Sequence, residues 1–230
     1  MSDVHTPEKT ETLSPHLVSV TNQYAMVPAQ SPLQHQKPIS DNVATEEQGL
    51  TMKEVALMGH LVLRGDSDNP LFVETASQVL GLALPTQPLT SVEKAGKVVC
   101  WLSPDEWLIL TEADELYALE LALRTALTGH ISIVNQSGGQ TIIELSGRDV
   151  NKVLKKSTPL DIHPRVFPIG KVAGSVLAKS SALIRRIDEY HWQLVIRRSF
   201  ADYIWRWLEA AGQEYGVSIE SHQTNSQDRQ

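Results

Sequence analysis

The chain of 230 residues has one cysteine, Cys100, so an internal disulfide is excluded. Set in the apolar stretch "KVVCWL", that thiol reads as a small buried hydrophobe rather than a nucleophile. Concentrated positive charge is also missing. Twenty Lys and Arg against 27 Asp and Glu leave a net charge of −7, which argues against a nucleic-acid partner, because phosphate neutralisation needs clustered cations. No apolar run approaches the roughly 18 residues of a membrane-spanning helix. The N-terminus is polar and acidic, without a secretory pattern. The expectation is a soluble cytoplasmic protein with no membrane partner. Phosphate-cradling glycine motifs are absent, and the eight histidines (5, 16, 35, 60, 130, 163, 191 and 222) form no H-E-x-x-H or other local metal-ligand pair.

What the chain does have is 41% apolar residues, enough for a core. Composition changes near residue 50. Residues 1–52 hold two lysines against six carboxylates, and the first fifty residues are rich in Ser, Thr, Pro, Gln and Glu without a helical or strand period. Such a segment buries too little apolar surface to offset its ordering entropy. Residues 1–50 therefore read as a flexible extension, with 1–30 disordered when free and 31–50 an arm able to order against a partner. Residues 51–220 read as the folded domain and 221–230 as a loose tail.

From Val55 the pattern is regular. "LVLRG" (61–65) is a strand. Asn69-Pro70 opens a helix that carries Phe72, Ala76, Val79 and Leu80 on one face and stops at Gly81. "KVVCWL" and "EWLIL" are strands joined by a Ser103-Pro104-Asp105 turn. Thr111-x-x-Asp114 resembles a capping box. It precedes a stripe of Leu116, Leu119, Leu123, Ala126 and Leu127, closed by Gly129, and "ISIVN" follows. The same order returns: "TIIELSG"; a helix over 149–156 with Val150, Val153 and Leu154 inward; a hairpin of "SVLAKSSALIRRID" and "HWQLVIRRS"; a helix capped by Ser199-x-x-Asp202 with Phe200, Ile204, Trp207, Leu208 and Ala211 inward; and "GVSIE". Trp107 and Trp192 fall at comparable places. The reading is α+β, a doubled β-α-β-β-α-β of two ferredoxin-like units sharing a core. A single mixed sheet with helices on one side is the alternative.

The local motifs are weak. Ser137-Gly138-Gly139 would need a glycine at 135 to make a hydrolase elbow, and Asn135 stands there; the reading is a glycine turn between the halves. Asn135-Gln136-Ser137 fits a glycosylation sequon but is expected to stay unmodified. Arg64-Gly65-Asp66 ends a strand. "TPLDIHPRVFPIG" (158–170) is more telling. Its three prolines stiffen a loop bearing His163, Pro164, Arg165 and Phe167, and a stiff loop loses little entropy on docking. Trp205, on the flank of the last helix, and Arg197-Arg198 before it are the other candidate interface residues, since Trp and Arg are common at interface hot spots. Phe167 folding back onto the core, and Trp205 covering the chain's own sheet, are the competing structural roles.

Six stretches, in order, resemble the gamma subunit family of bacterial heterotetrameric sarcosine oxidase: "SPLQH" (31–35), "GHLVLRGD" (59–66), "WLSPDEWLIL" (101–110), "SGGQTIIELSG" (137–147), "PLDIHPRVFPIG" (159–170) and "RRSFADYIWRWL" (197–208). The resemblance spans about 31–213. It implies a fold similar to the folate-binding domain of aminomethyltransferases. It also implies an assembly with alpha, beta and delta subunits that oxidatively demethylates sarcosine or a related N-methyl amine. In that assembly the partners carry FAD and FMN (beta), NAD and tetrahydrofolate (alpha) and zinc (delta). This chain is then expected to hold no catalytic, cofactor or metal site of its own. Two other readings stand beside it. One is a folate-binding one-carbon transferase acting alone, for which Asp161 and Glu144 are the nearest candidate carboxylates. The other is a transient assembly factor.

Overall fold

A computed structural model describes residues 29–36 and 49–220. The expectations for residues 1–28 and 37–48 of the extension, and for the tail from Ser221, lie outside the described residues. The elements run β1 (Leu50–Val55), β2 (Gly59–Arg64), α1 (Pro70–Leu80), β3 (Ser91–Lys94), β4 (Lys97–Ser103), β5 (Glu106–Thr111), α2 (Ala113–Ala126), β6 (Ser132–Asn135), β7 (Gln140–Ser146), α3 (Val150–Ser157), β8 (Val172–Leu177), β9 (Ser180–Asp188), β10 (His191–Arg197), α4 (Ala201–Gly212) and β11 (Val217–Ile219).

They make two sheets, one ordered β3-β4-β5-β2-β6 and the other β11-β1-β7-β10-β9-β8. Aligned strand for strand, β2, β4, β5 and β6 of the first answer to β7, β9, β10 and β11 of the second. That is the ferredoxin-like order written twice, so the doubled reading holds and the single mixed sheet does not. Each unit also gains an outer strand. β3 pairs with β4 and β8 with β9, both antiparallel. β1 is inserted between β7 and β11, antiparallel to the former and parallel to the latter.

Three apolar clusters set the layers. Leu61, Leu63, Val99, Trp107 and Ile109 meet α1 and α2 on the outer face of the first sheet. Ile143, Leu145, Trp192 and Leu194 meet α3 and α4 on the outer face of the second. Val62, Cys100, Leu108, Leu110, Ile142, Val172 and Val195 lie between the sheets. The result is helices, sheet, sheet, helices. Trp107 and Trp192 are equivalent: each is buried on the helix side, beside Phe72 at 5.8 Å and Phe167 at 5.2 Å between ring centroids respectively.

Several local expectations change. Residues 175–188 are not one strand, because a two-residue turn at Ala178-Lys179 separates β8 from β9. α1 starts as read, with the Asn69 carboxamide accepting from Leu71 N at 3.0 Å, and it ends at Gly81 in the left-handed region. The two expected capping boxes do not form. Thr111 stays in β5 and donates through Oγ1 to Glu115 at 3.2 Å, while Asp202 turns to His35, Gln36 and Arg206. In α2, Ala126 is exposed. α4 is rotated from its expected face: Ala201, Ile204, Trp205, Leu208 and Gly212 are buried, whereas Phe200 and Trp207 are only partly covered, 41 and 37% exposed. Gly138 and Gly139 sit in a short 3-10 turn without positive φ, so that turn does not need them for left-handed backbone.

Residues 31–36, expected to order against a partner, lie against this chain's own second unit. Leu33 is fully buried in its helix-side core. Ser31 Oγ donates to Glu54, whose other oxygen accepts from Thr141 Oγ1 at 2.7 Å. Arg198 donates to Gln30 O at 2.7 Å.

Candidate partner interface and buried polar groups

The residues singled out as an interface do not form one surface. The 158–170 loop closes the helix-side core of the second unit where β10 begins. Phe167, 1% exposed, is a core residue against Trp192 and corrects its assignment as a docking residue. Its carbonyl accepts from buried Arg186 at 2.8 Å, and the same guanidinium donates to Asp188 O and Glu189 O, tying the loop to the β9–β10 turn. His163, Pro164 and Arg165 point outward. The His163 carbonyl receives Val166 N and Phe167 N, both at 2.8 Å, so the exposed tip is a closed turn. Arg197 and Arg198 stand exposed at the opposite end of β10, about 17 Å from Trp192 at the rise of an antiparallel strand. Trp205, also 1% exposed, faces the core and is likewise corrected.

Two polar features depend on how the strands and sheets meet. The first is a row crossing the inner face of the second sheet. Lys53, Glu144, Gln193 and Arg185 are register partners on β1, β7, β10 and β9. Gln193 donates to Glu144 at 3.4 Å and accepts from Arg185 at 3.3 Å. Arg185 also donates to Ser91 Oγ at 2.9 Å and to Glu93 at 2.5 Å on the other sheet. His191 lies 3.4 Å from Glu144. Burial opposes ionisation of Glu144, but the His191 hydrogen bond and charge, with Lys53 and Gln193, outweigh it and hold the carboxyl below its ordinary range. Asp161, the other carboxylate considered, is exposed and caps His163 N at 3.0 Å, remote in the chain from this row. Alternation within each strand was the signal for this row; the registers that line the strands up were not in the sequence.

The second feature is His60, buried on β2 facing the other sheet. Its Nδ1 bonds Met58 O at 3.0 Å and its Nε2 has no hydrogen-bond partner. Desolvation pushes its pKa down to about 4, so the ring is neutral, against a smaller opposing effect of the Met58 carbonyl. Cys100 is fully buried, and burial drives its thiol up to about 12. A thiol with so little thiolate is a poor nucleophile. Ser137 Oγ accepts from His60 N at 2.9 Å and donates to Asn135 at 2.7 Å, so its hydroxyl is engaged in fixing the turn. Among the described residues, no three His, Cys, Asp or Glu side chains gather closely enough to hold a metal ion, and no helix is long and apolar enough to cross a membrane.

Fold and surface together define the class: a doubled ferredoxin-like sandwich whose outward loop and inner polar row come from its second unit. The model of the sarcosine oxidase, gamma subunit family matches residues 64–214. The chain belongs to that family. It is 30% identical over 174 residues to sarcosine oxidase subunit gamma of Corynebacterium sp. (strain U-96), spanning 75% of this chain and 83% of that one. Against the subunit of Corynebacterium sp. (strain P-1) the identity is 32% over 166 residues, spanning 71% and 80%. A chain of the heterotetrameric sarcosine oxidase from Corynebacterium sp. U-96, solved in complex with pyrrole 2-carboxylate, superimposes with a TM-score of 0.73 at 27% identity, covering 84% of this chain and 99% of that one. Glycine cleavage system aminomethyltransferase T from Bartonella henselae shares the fold, with a TM-score of 0.57 at 14% identity over 75% of this chain and 48% of that one.

Proposed function

We propose that this chain is the accessory gamma subunit of a heterotetrameric sarcosine oxidase-type complex and contributes no active site of its own. The complex oxidatively demethylates sarcosine or a related N-methyl amine and passes the one-carbon unit to tetrahydrofolate. In this reading the alpha, beta and delta partners hold NAD and tetrahydrofolate, FAD and FMN, and zinc. The observation that carries the proposal is the superposition, over nearly the whole of its length, of a chain from a heterotetrameric sarcosine oxidase. Side-chain chemistry also favours it: the Cys100 thiol is buried and protonated, Ser137 Oγ is engaged in a turn, and Arg185 and Arg186 are spent on internal bonds. A cytoplasmic setting goes with the proposal, since a single buried cysteine suits a reducing compartment.

The role of the subunit is to bury partner surface and so stabilise the assembled state by mass action. Native mass spectrometry of the chain co-expressed with its genomic neighbours tests this. A flavin-containing heterotetramer with one copy of the chain is expected. Neighbours that assemble fully without it would overturn the proposal. The runner-up, a folate-binding transferase acting alone, draws on ionised Glu144 within a half-buried polar row. Titration of the isolated chain with tetrahydrofolate separates the two, because only the runner-up expects micromolar binding.

A further inference from the structure

β8 ends the second sheet and is paired with a strand on one side only. Arg186 N donates to Lys171 O at 3.0 Å, so Lys171, Ala173, Ser175 and Leu177 turn their backbone groups towards β9. Val172, Gly174 and Val176 turn theirs outward. Val172 N donates to Leu89 O at 2.9 Å. That line of pairing stops there, because Pro88 has no N–H and Gln87 O accepts from Thr90 Oγ1 at 2.7 Å. Among the described residues, nothing pairs with the outward N–H and C=O groups of Gly174 and Val176.

Strand edges are usually guarded by charge, by a cover or by shortness. The other three edges described are guarded in these ways. β3 carries Glu93 and Lys94, β6 has Ile133 O covered by Arg124 at 2.6 Å, and β11 has three residues. β8 has six residues, "VAGSVL", without a charge or a register shift. Gly174 has open space where a Cβ would stand, and Val176 is 50% exposed. The position of Gln30 indicates what fills the edge. Arg198 holds Gln30 O just past the end of β10. Ile196 lies opposite Ala182, and Ala182 opposite Ser175, so β10 and β8 finish at the same end of the sheet. A strand beyond β8 is three strand spacings from β10, about 15 Å. Seven extended residues, 23–29, span about 23 Å, enough for that distance and the Arg198 side chain. Upstream of them, from His16 to Val27, the chain has no Lys, Arg, Asp, Glu or Pro, and Leu17-Val18-Ser19-Val20-Thr21 is rich in strand-favouring residues. A second copy of β8 is a poor occupant. The register that joins Gly174 to the copy's Val176 sets the copy's Ala178 opposite Val172, where Leu89 already sits.

We propose that the free edge of β8 at Gly174 and Val176 is a strand-docking site, and that residues 17–22 of this same chain are its occupant. The added strand runs parallel to β8, because the linker 23–29 leaves from the end at which β8 finishes. Main-chain hydrogen bonds to Gly174 and Val176 supply the recognition, as in strand addition to sheet edges generally, and the Val176 side chain adds an apolar contact. The inference stands apart from the accessory-subunit reading: either can fail and leave the other.

Residue-resolved hydrogen exchange on the full chain tests this, comparing wild type with the double variant Val20→Pro and Thr21→Pro. Adjacent prolines remove a donor on either side of the added strand, whichever side faces β8. Both substitutions lie outside the described fold, so the folded domain is expected to stay intact. The Gly174 and Val176 amides are expected to exchange at least tenfold faster in the variant. Ala173 and Ser175, whose amides face β9, should exchange alike in the two proteins and serve as internal controls. Equal exchange of Gly174 and Val176 in both proteins would overturn the inference. Protection that disappears when the wild type is diluted would give the edge to a second copy, and protection that arises only on co-expression with the genomic neighbours would give it to a different polypeptide; either overturns the choice of occupant.

Discussion

His60 bonds through one ring nitrogen to Met58 O and keeps the other unpartnered between the sheets. The ring is held neutral, with its pKa at about 4, whereas an unfolded chain titrates its histidines near 6.5. Between those values the unfolded state binds the proton and the folded state does not, so stability falls as the pH drops from about 6.5 towards 4 and levels off below. By linkage this amounts to about 2 kcal/mol between pH 7 and pH 5. Urea unfolding at the two pH values should show wild type losing about that much more than His60→Leu, which removes the titrating group. Equal losses would mean that the ring is reached by water in the folded protein. The same burial logic separated right from wrong among single residues in the sequence. Cys100 was legible because its neighbours are apolar on both sides. Phe167 and Trp205 were not, because an aromatic beside arginines has the same composition whether it anchors a core or a partner.

At the scale of elements, the doubling was readable because each unit repeats its hydrophobic period and its Trp-bearing third strand. β1 was missed for a physical reason: its inward positions are Leu50, Met52 and Glu54, and a carboxylate at the third breaks the apolar alternation. That Glu54 is buried against Thr141 and Ser31, two groups far from it in sequence. The β8–β9 turn was missed because Ala178, at φ 53, takes a position where glycine or asparagine is the usual signal. α4 was misphased because Trp205 and Trp207 are both large and apolar. The packed face is chosen by what lies beneath it, and Trp207 settles beside α3 with its Nε1 on Ser157 Oγ at 3.1 Å. The segment around Leu33 shows how far outside the family-matched region the fold extends. Leu33→Ala removes a fully buried side chain and should cost about 2–4 kcal/mol. Thermal unfolding checks this; an unchanged transition would mean that the 29–36 segment is not part of the cooperative fold.

Across the described residues, the two units are joined by an apolar layer, by the bonds between Leu89–Ser91 and Gly170–Val172, and by a charged tie from Arg185 to Glu93. The layer alone cannot fix how the sheets sit on each other, since burial of Val62, Leu108, Val172 and Val195 is non-directional. The seam bonds and Arg185 supply the direction. From β9 the Arg185 guanidinium reaches Glu93 and Ser91 on β3 and Gln193 on β10, so a buried cation, 5% exposed, spans both sheets at the edge where Ser91 meets Gly170. Nothing in the sequence marked Arg185, because its partners on the other sheet are about 90 residues away and Glu93 belongs to an edge strand of four residues. Replacing it with methionine keeps the length and apolar stem but leaves the Gln193 carbonyl oxygen without its donor and releases Glu93. A cost of about 2–4 kcal/mol is expected, in the range for breaking a buried pair, and towards the lower end because Glu93 is half-exposed and returns to water. The distribution of the loss is the sharper expectation. Hydrogen exchange at Ser91 and Val172, whose N–H groups donate across the seam, should accelerate far more in Arg185→Met than exchange in β7 and β10, which stay paired on both sides. Uniform acceleration would make Arg185 a general contributor to stability; acceleration confined to the seam would make it the tie that fixes how the two sheets meet.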